Sequence, residues 1–182
     1  MEQNPWITKS SDDIYESPWI KVVKHECLNP AGKPATYSVV NFKNLAIGIL
    51  PLDEHGYTWL VGQWRYPLNQ YSWEIPEGGG PLHIDPMESA KRELKEETGI
   101  VAENLSEIMR LHLSNSATDE LAIVYLATNL RFEENDPEES EVLQIKKVHI
   151  RDAFDMVENG EITDAISVAA IYKVWRMYQE NN

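Results

Sequence analysis

Between Trp73 and Ile100 the chain reads WEIPEGGGPLHIDPMESAKRELKEETGI, a glycine-rich loop that runs into a short, strongly acidic helix. No other stretch limits the fold as much, because both ends of the helix are written into it. Asp85 stands at the N-cap, Pro86 supplies its fixed φ at the first helical position, and Glu88 is spaced to complete a capping box. Gly99 follows Thr98, where a helix turns into the left-handed conformation that glycine adopts cheaply.

Between those ends, Met87, Ala90 and Leu94 fall at helical spacing and form an apolar stripe. Glu93 and Glu97, four apart, share another face with Glu96 at its margin. Like charges at this spacing repel by about 0.2–0.5 kcal/mol per pair, and carboxylates late in a helix oppose its dipole. Arg92 is placed to pair with Glu88 and Glu96, and Lys95 adds a further cation, but neither lies between Glu93 and Glu97. Two readings stand: a solvated charged face, or a site for a divalent cation that prefers hard oxygen ligands, as Mg²⁺ does.

The 182 residues carry a formal net charge of −14, which argues against binding to nucleic-acid backbones. The N-terminal residues lack the basic start and apolar run of a secretory signal. The longest strongly apolar stretch, Leu45 to Leu52, is too short to span a bilayer, so no membrane association and a cytoplasmic location are expected. Cys27 stands alone, which excludes an internal disulfide and fits a buried small hydrophobe. The five histidines, His112 among them, are scattered without metal-ligand spacing.

Along the chain, residues 1 to about 17 read as an arm with Trp6 as an anchor. Trp19 to Cys27 and Ala35 to Phe42 flank Asn29-Pro30-Ala31-Gly32 and predict a β-hairpin, which is also the expected dimer element. Leu45 to Leu50 and Tyr57 to Gly62 flank Asp53-Glu54-His55-Gly56 as two more strands, apolar enough to be buried on both faces. Ile108 to Leu113 and Leu121 to Leu126 predict strands around the polar loop Ser114 to Glu120. Phe132 to Glu141 is a carboxylate cluster that composition alone assigns to an acidic loop. A strand from Val142 to Ile150 precedes helices over Arg151 to Glu158 and about Thr163 to Gln179, the last with Ile166, Ala169 or Ala170, Val174 and Tyr178 on one stripe.

Gly78, Arg92-Glu93-Leu94 and Glu96-Glu97-Thr98-Gly99-Ile100 together resemble the signature of the Nudix hydrolases. Ile84 stands where that family usually has a glutamate, and an apolar residue can pack there instead. Gln63-Trp64-Arg65-Tyr66-Pro67 and Glu74-Ile75-Pro76-Glu77-Gly78 are similar to the run found in the ADP-ribose and nucleotide-sugar pyrophosphatase branch.

The resemblance implies an α/β fold, the Nudix α/β/α sandwich with a mixed sheet and an N-terminal β-hairpin extension. Residues 1–42 would be arm and hairpin, and 43–182 the Nudix domain. It further implies Mg²⁺-dependent hydrolysis, with Mn²⁺ as a substitute, of a nucleoside diphosphate sugar of the ADP-ribose or GDP-mannose type, in a homodimer. Glu93, Glu97 and Glu96 would hold metal with the main-chain carbonyl of Glu77. Glu139 would be the base, with Glu141 as its reserve or a further ligand. Arg65 would steady the diphosphate, Tyr71 or Trp73 would stack on the base, Arg92 would orient glutamates, and Gly78 and Gly99 would shape the motif. A Nudix-fold module that binds a nucleotide sugar without cutting it is the alternative, and a cap pyrophosphatase is disfavoured by the lack of basic surface.

Overall fold

Strand pairing, more than apolar patterning, shapes the N-terminal part of the computed structural model, which describes residues 3–134 and 143–181. The chain divides into two compact units. One runs from the N-terminal segment through Asn44 and includes His112–Leu121; the other comprises Leu45–Leu111 and the chain from Ala122 onward.

In the first unit, β1 (Ile7–Glu16), β2 (Ile20–Leu28) and β3 (Pro34–Phe42) form an antiparallel sheet in that order. The expected hairpin is β2–β3, in register from Ile20 opposite Phe42 to Leu28 opposite Pro34. Its turn is closed by the Asn29 side chain, whose Oδ1 accepts the N–H groups of Ala31 and Lys33, each at 3.0 Å. The expected arm is corrected: Ile7–Glu16 is a strand paired along β2. Every one of its residues is exposed, so no apolar alternation marks it in sequence. Ladder hydrogen bonds and ion pairs hold it, Asp13 to Lys21 at 2.8 Å and Glu16 to Lys43 at 2.7 Å. Trp6 packs edge-on against Tyr37, with centroids 5.4 Å apart, and Cys27 is buried.

The 112–121 loop belongs to this unit through β3. The N–H of Val40 donates to the Ala117 carbonyl at 2.9 Å. Asp119 accepts from the Phe42 N–H and from Asn41 Nδ2, both at 2.7 Å.

In the second unit, β5 (Tyr57–Arg65) lies between β10 (Gln144–His149) and the edge strand β6 (Gln70–Glu74), antiparallel to both. A second sheet runs in the order β7 (Glu77–Pro81), β4 (Asn44–Pro51), β9 (Leu121–Phe132), β8 (Ile100–His112), with β4 and β9 parallel. The apolar runs on either side of Asp53-Glu54-His55-Gly56 therefore go to different sheets. Helix α1 (Pro86–Thr98) lays Ala90 and Leu94 against Ile47, Ile49, Trp59, Ile100, Ile123 and Tyr125. The strands around the polar loop are longer than the sequence suggests, and α2 (Ile150–Glu158) and α3 (Ala165–Asn181) start and stop within two residues of expectation. Ile166, Ala170 and Val174 of α3 are buried. Among the described residues no helix is long and apolar enough to cross a membrane.

Candidate active site

Helix α1 is fixed at both ends as its sequence predicts. Asp85 Oδ1 accepts the Met87 N–H at 2.9 Å, and Gly99, at φ 70°, donates its N–H to the Lys95 carbonyl. Glu88 does not complete the capping box but pairs with Lys91 at 2.6 Å. Ile84 is 41% exposed, which corrects the expectation that an apolar residue would pack there; it sits in the turn before the helix, with its N–H on the Pro81 carbonyl.

The acidic face of α1 turns inward. Glu93 is 9% exposed and Glu97 2%, an arrangement that a merely solvated charged face does not have. The Glu77 N–H donates to Glu97 Oε2 at 2.9 Å, which brings the start of β7 against the helix. A Cβ at Gly78 would collide with the Glu93 carboxyl group, so only glycine lets that carboxylate approach the loop. Arg92 bridges the two segments: Nη1 donates to Glu96 at 2.6 Å, and Nη2 to Glu93 at 2.6 Å and to the Gly79 carbonyl at 3.0 Å. Arg92 thus contacts two of the four glutamates of α1, Glu93 and Glu96.

Arg65 reaches the same backbone segment from β5. Its Nε lies 3.0 and 3.1 Å from the two Glu74 oxygens, and Nη2 is 2.5 Å from Glu74 Oε2 and 2.7 Å from Glu77 Oε1. Burial opposes the charge of Arg65, but hydrogen bonding to Glu74 and the charges of Glu74 and Glu77 outweigh it and hold the group above its ordinary value. Glu77 is pushed the other way. Burial, then the charges of Asp164 and Glu74, raise its carboxyl well above the usual carboxylate range against the pull of Arg65. Its Oε2 is enclosed without a hydrogen-bond partner.

The donor set offered here is all oxygen, which suits a hard divalent cation. Excess buried negative charge, the orphaned Glu77 Oε2 and the glycine that admits the Glu93 carboxylate fit the same group. No three His, Cys, Asp or Glu side chains among the described residues are grouped closely enough to hold a metal. Glu93 and Glu96 are turned to Arg92 and Glu97 to the Glu77 N–H, contacts with which a cation would compete.

Tyr71 and Trp73 are not brought to the side of Arg65. Side chains alternate along β6, where Ser72 and Glu74 are buried while Tyr71 is exposed and Trp73 half-buried. Trp73 pairs with Gly62 and Tyr71 with Trp64, one parity of β5, while Arg65 has the other. The Trp73 ring and the Tyr71 hydroxyl both lie over the bare Gly62 position, and Lys146 lies 3.9 Å over the Trp73 ring. Glu139 and Glu141 lie outside the described residues.

Sequence reasoning missed three contributors. Glu74 stood inside a quoted motif without a role. Asp164 accepts the Ser167 N–H at 2.7 Å at the start of α3, and Ser167 in turn accepts the Ile75 N–H at 2.9 Å. Alternation with Trp73 was a signal for Glu74; nothing local marks Asp164 or Ser167, which reach the site only through the fold.

Comparison with known proteins gives the family and the fold. The family model described as NUDIX domain matches residues 42–169, and that described as nucleoside diphosphate sugar hydrolase N-terminal domain matches residues 4–40. The chain is 31% identical to the ADP-ribose pyrophosphatase of Bacillus subtilis (strain 168), over 90% of this chain and 89% of the relative. It is 30% identical to the ADP-ribose pyrophosphatase of Mycobacterium tuberculosis, over 96% and 85%. The crystal structure of an ADP compounds hydrolase shares its fold, with a TM-score of 0.88 at 19% identity over 100% of this chain and 98% of the other. A glycine loop against an acidic helix, a mixed sheet, and these matches make the chain a member of the Nudix family and, with it, a hydrolase.

Proposed function

We propose that this enzyme hydrolyses the diphosphate bond of a nucleoside diphosphate sugar, ADP-ribose or a relative such as GDP-mannose, to a nucleoside monophosphate and a sugar phosphate, with Mg²⁺ or in its place Mn²⁺. The observation that carries the reading is the burial of Glu93 and Glu97 against the Glu77–Gly78 backbone, with Arg65 attached to the same segment. The names of the two bacterial relatives support the substrate class.

Glu93, Glu97, Glu96 and the main-chain carbonyl of Glu77 would hold the cation. When bound there, it would neutralise charge on the diphosphate. Arg92 keeps the helix carboxylates oriented. Arg65, whose planar guanidinium matches paired phosphate oxygens, holds the diphosphate. Glu139, with Glu141 in reserve, takes the proton from the water that attacks phosphorus as the bridging P–O bond breaks. Because β6 is an edge strand, a ligand lying over that edge meets Tyr71 or Trp73 with its base while Arg65 faces its phosphates.

A cytoplasmic homodimer completes the proposal. The lone cysteine suits a reducing compartment, and the fully exposed β1 leaves a sheet edge for a second copy. The test is incubation of purified protein with ADP-ribose, GDP-mannose and other nucleotide sugars plus Mg²⁺, with chromatography of the products. Turnover of ADP-ribose that disappears in Glu97→Gln is expected; no turnover of any compound would overturn the reading.

A further inference from the structure

Glu74 has no part in the scheme above, yet it is 3% exposed and both its oxygens face Arg65. A buried carboxylate is costly unless it is paired, and here the partner is an arginine whose side chain is still one-third open to solvent. The contact is two-pronged. Nε and Nη2 both lie on the Glu74 carboxylate, and Nη2 is shared with Glu77.

Two points of attachment fix the plane of a rigid guanidinium, where one would leave it free to swing. The Nη1 side of the group is thereby set on the side away from Glu74. The frame that carries Glu74 is itself held, since the next residue, Ile75, donates its N–H to the buried Ser167 and Glu77 donates its own to Glu97. The orientation of Arg65 is thus tied to the same backbone segment that meets the acidic helix.

We propose that Glu74 is the positioning residue for Arg65, holding its guanidinium in one orientation toward the diphosphate before substrate arrives. The proposal rests on the reading of Arg65 as a diphosphate ligand. Its function would be to spare Arg65 the search among rotamers that an exposed arginine otherwise makes.

A double-mutant cycle tests it, with kcat and KM for ADP-ribose and Mg²⁺ measured for Glu74→Gln, Arg65→Ala and the double variant, alongside melting temperature. Misplacement of an orienting group costs about 10²-fold. Glu74→Gln is therefore expected to lower kcat/KM by that order, close to the loss in Arg65→Ala, and the double variant to be no worse than Arg65→Ala alone. If Arg65→Ala is impaired while Glu74→Gln is not, or if the two losses multiply in the double variant, the positioning role is overturned and the Arg65 reading stands. If Arg65→Ala keeps wild-type kinetics, the Arg65 reading itself falls, and the positioning role with it. Should Glu74→Gln not fold, Glu74→Asp, which keeps the charge but is too short to hold both nitrogens, takes its place in the cycle.

Discussion

The Ser167 hydroxyl accepts the main-chain N–H of Ile75 at 2.9 Å, across 92 residues of sequence, with both residues fully buried. Removing it in Ser167→Ala strands a buried donor and is expected to cost about 1–3 kcal/mol. Urea denaturation measures this. A change under about 0.5 kcal/mol, the range of a neutral surface substitution, would mean that the N–H finds another acceptor.

Gly78→Ala places a methyl group where the Glu93 carboxyl stands. The helix or the loop must yield, at about 1–3 kcal/mol for overpacking, and turnover should fall much further than stability because the carboxylate is displaced. Normal kinetics in this variant would remove Glu93 from the catalytic centre.

Cation binding to the native state alone raises stability by mass action, about 2.7 kcal/mol at a hundredfold excess over Kd. Mg²⁺ or Mn²⁺ is therefore expected to raise the melting temperature of the wild type relative to EDTA. Glu93→Gln and Glu97→Gln should lose both that response and turnover, while their metal-free forms gain slightly from a relieved repulsion. Identical melting curves for wild type with and without cation would count against the metal face.

Asp53 closes the turn between β4 and β5, accepting the N–H groups of Tyr57 at 2.8 Å and His55 at 3.0 Å, with Lys147 at 3.1 Å. Burial works to raise its carboxyl, but the Tyr57 N–H, Lys147 and the His55 N–H outweigh it and hold the group below its ordinary value. A depressed carboxylate stabilises the fold above the ordinary value near 4 and loses that contribution as pH falls through the depressed one. Asp53→Asn is thus expected to cost about 1 kcal/mol at pH 7, with the gap to wild type closing below about pH 4. A pH-independent gap would assign the effect to the neutral hydrogen bonds.

Glu139→Gln is expected to lower kcat by about 10²–10⁴-fold with the cation-dependent melting shift intact, the pattern of a lost general base. Glu138 and Glu141 are changed separately under the same conditions. Loss in Glu141→Gln alone moves the base two residues along, and indifference to all three moves the search to Glu96.

Much of α1 and its surroundings was legible because the code there is local. A cap, a proline, a stripe and a terminal glycine each act within one or two turns of helix, and the motif spacing places the glutamates. β1 was not legible, since a strand open on both faces has no apolar alternation and its stability lies in the ladder with β2. That Tyr71 and Trp73 take the face opposite Arg65 was not legible either. The three are close in sequence, yet pairing across β5 and β6 sends them to opposite faces. Alternation marked Glu74 as facing inward, but its partner does not follow from the ladder, which sets Val61 opposite it and Arg65 four residues further along β5.

The loop from His112 to Leu121 joins the N-terminal sheet although it is encoded some seventy residues after β3, with Val40, Asn41 and Phe42 as its anchors. That sheet is therefore not a detachable prefix. A chimera that swaps only the first 44 residues between relatives would part Asp119 from the strand end it caps. Recombination in this architecture has to carry two separate cassettes, so the loop and β3 are expected to be inherited as a pair.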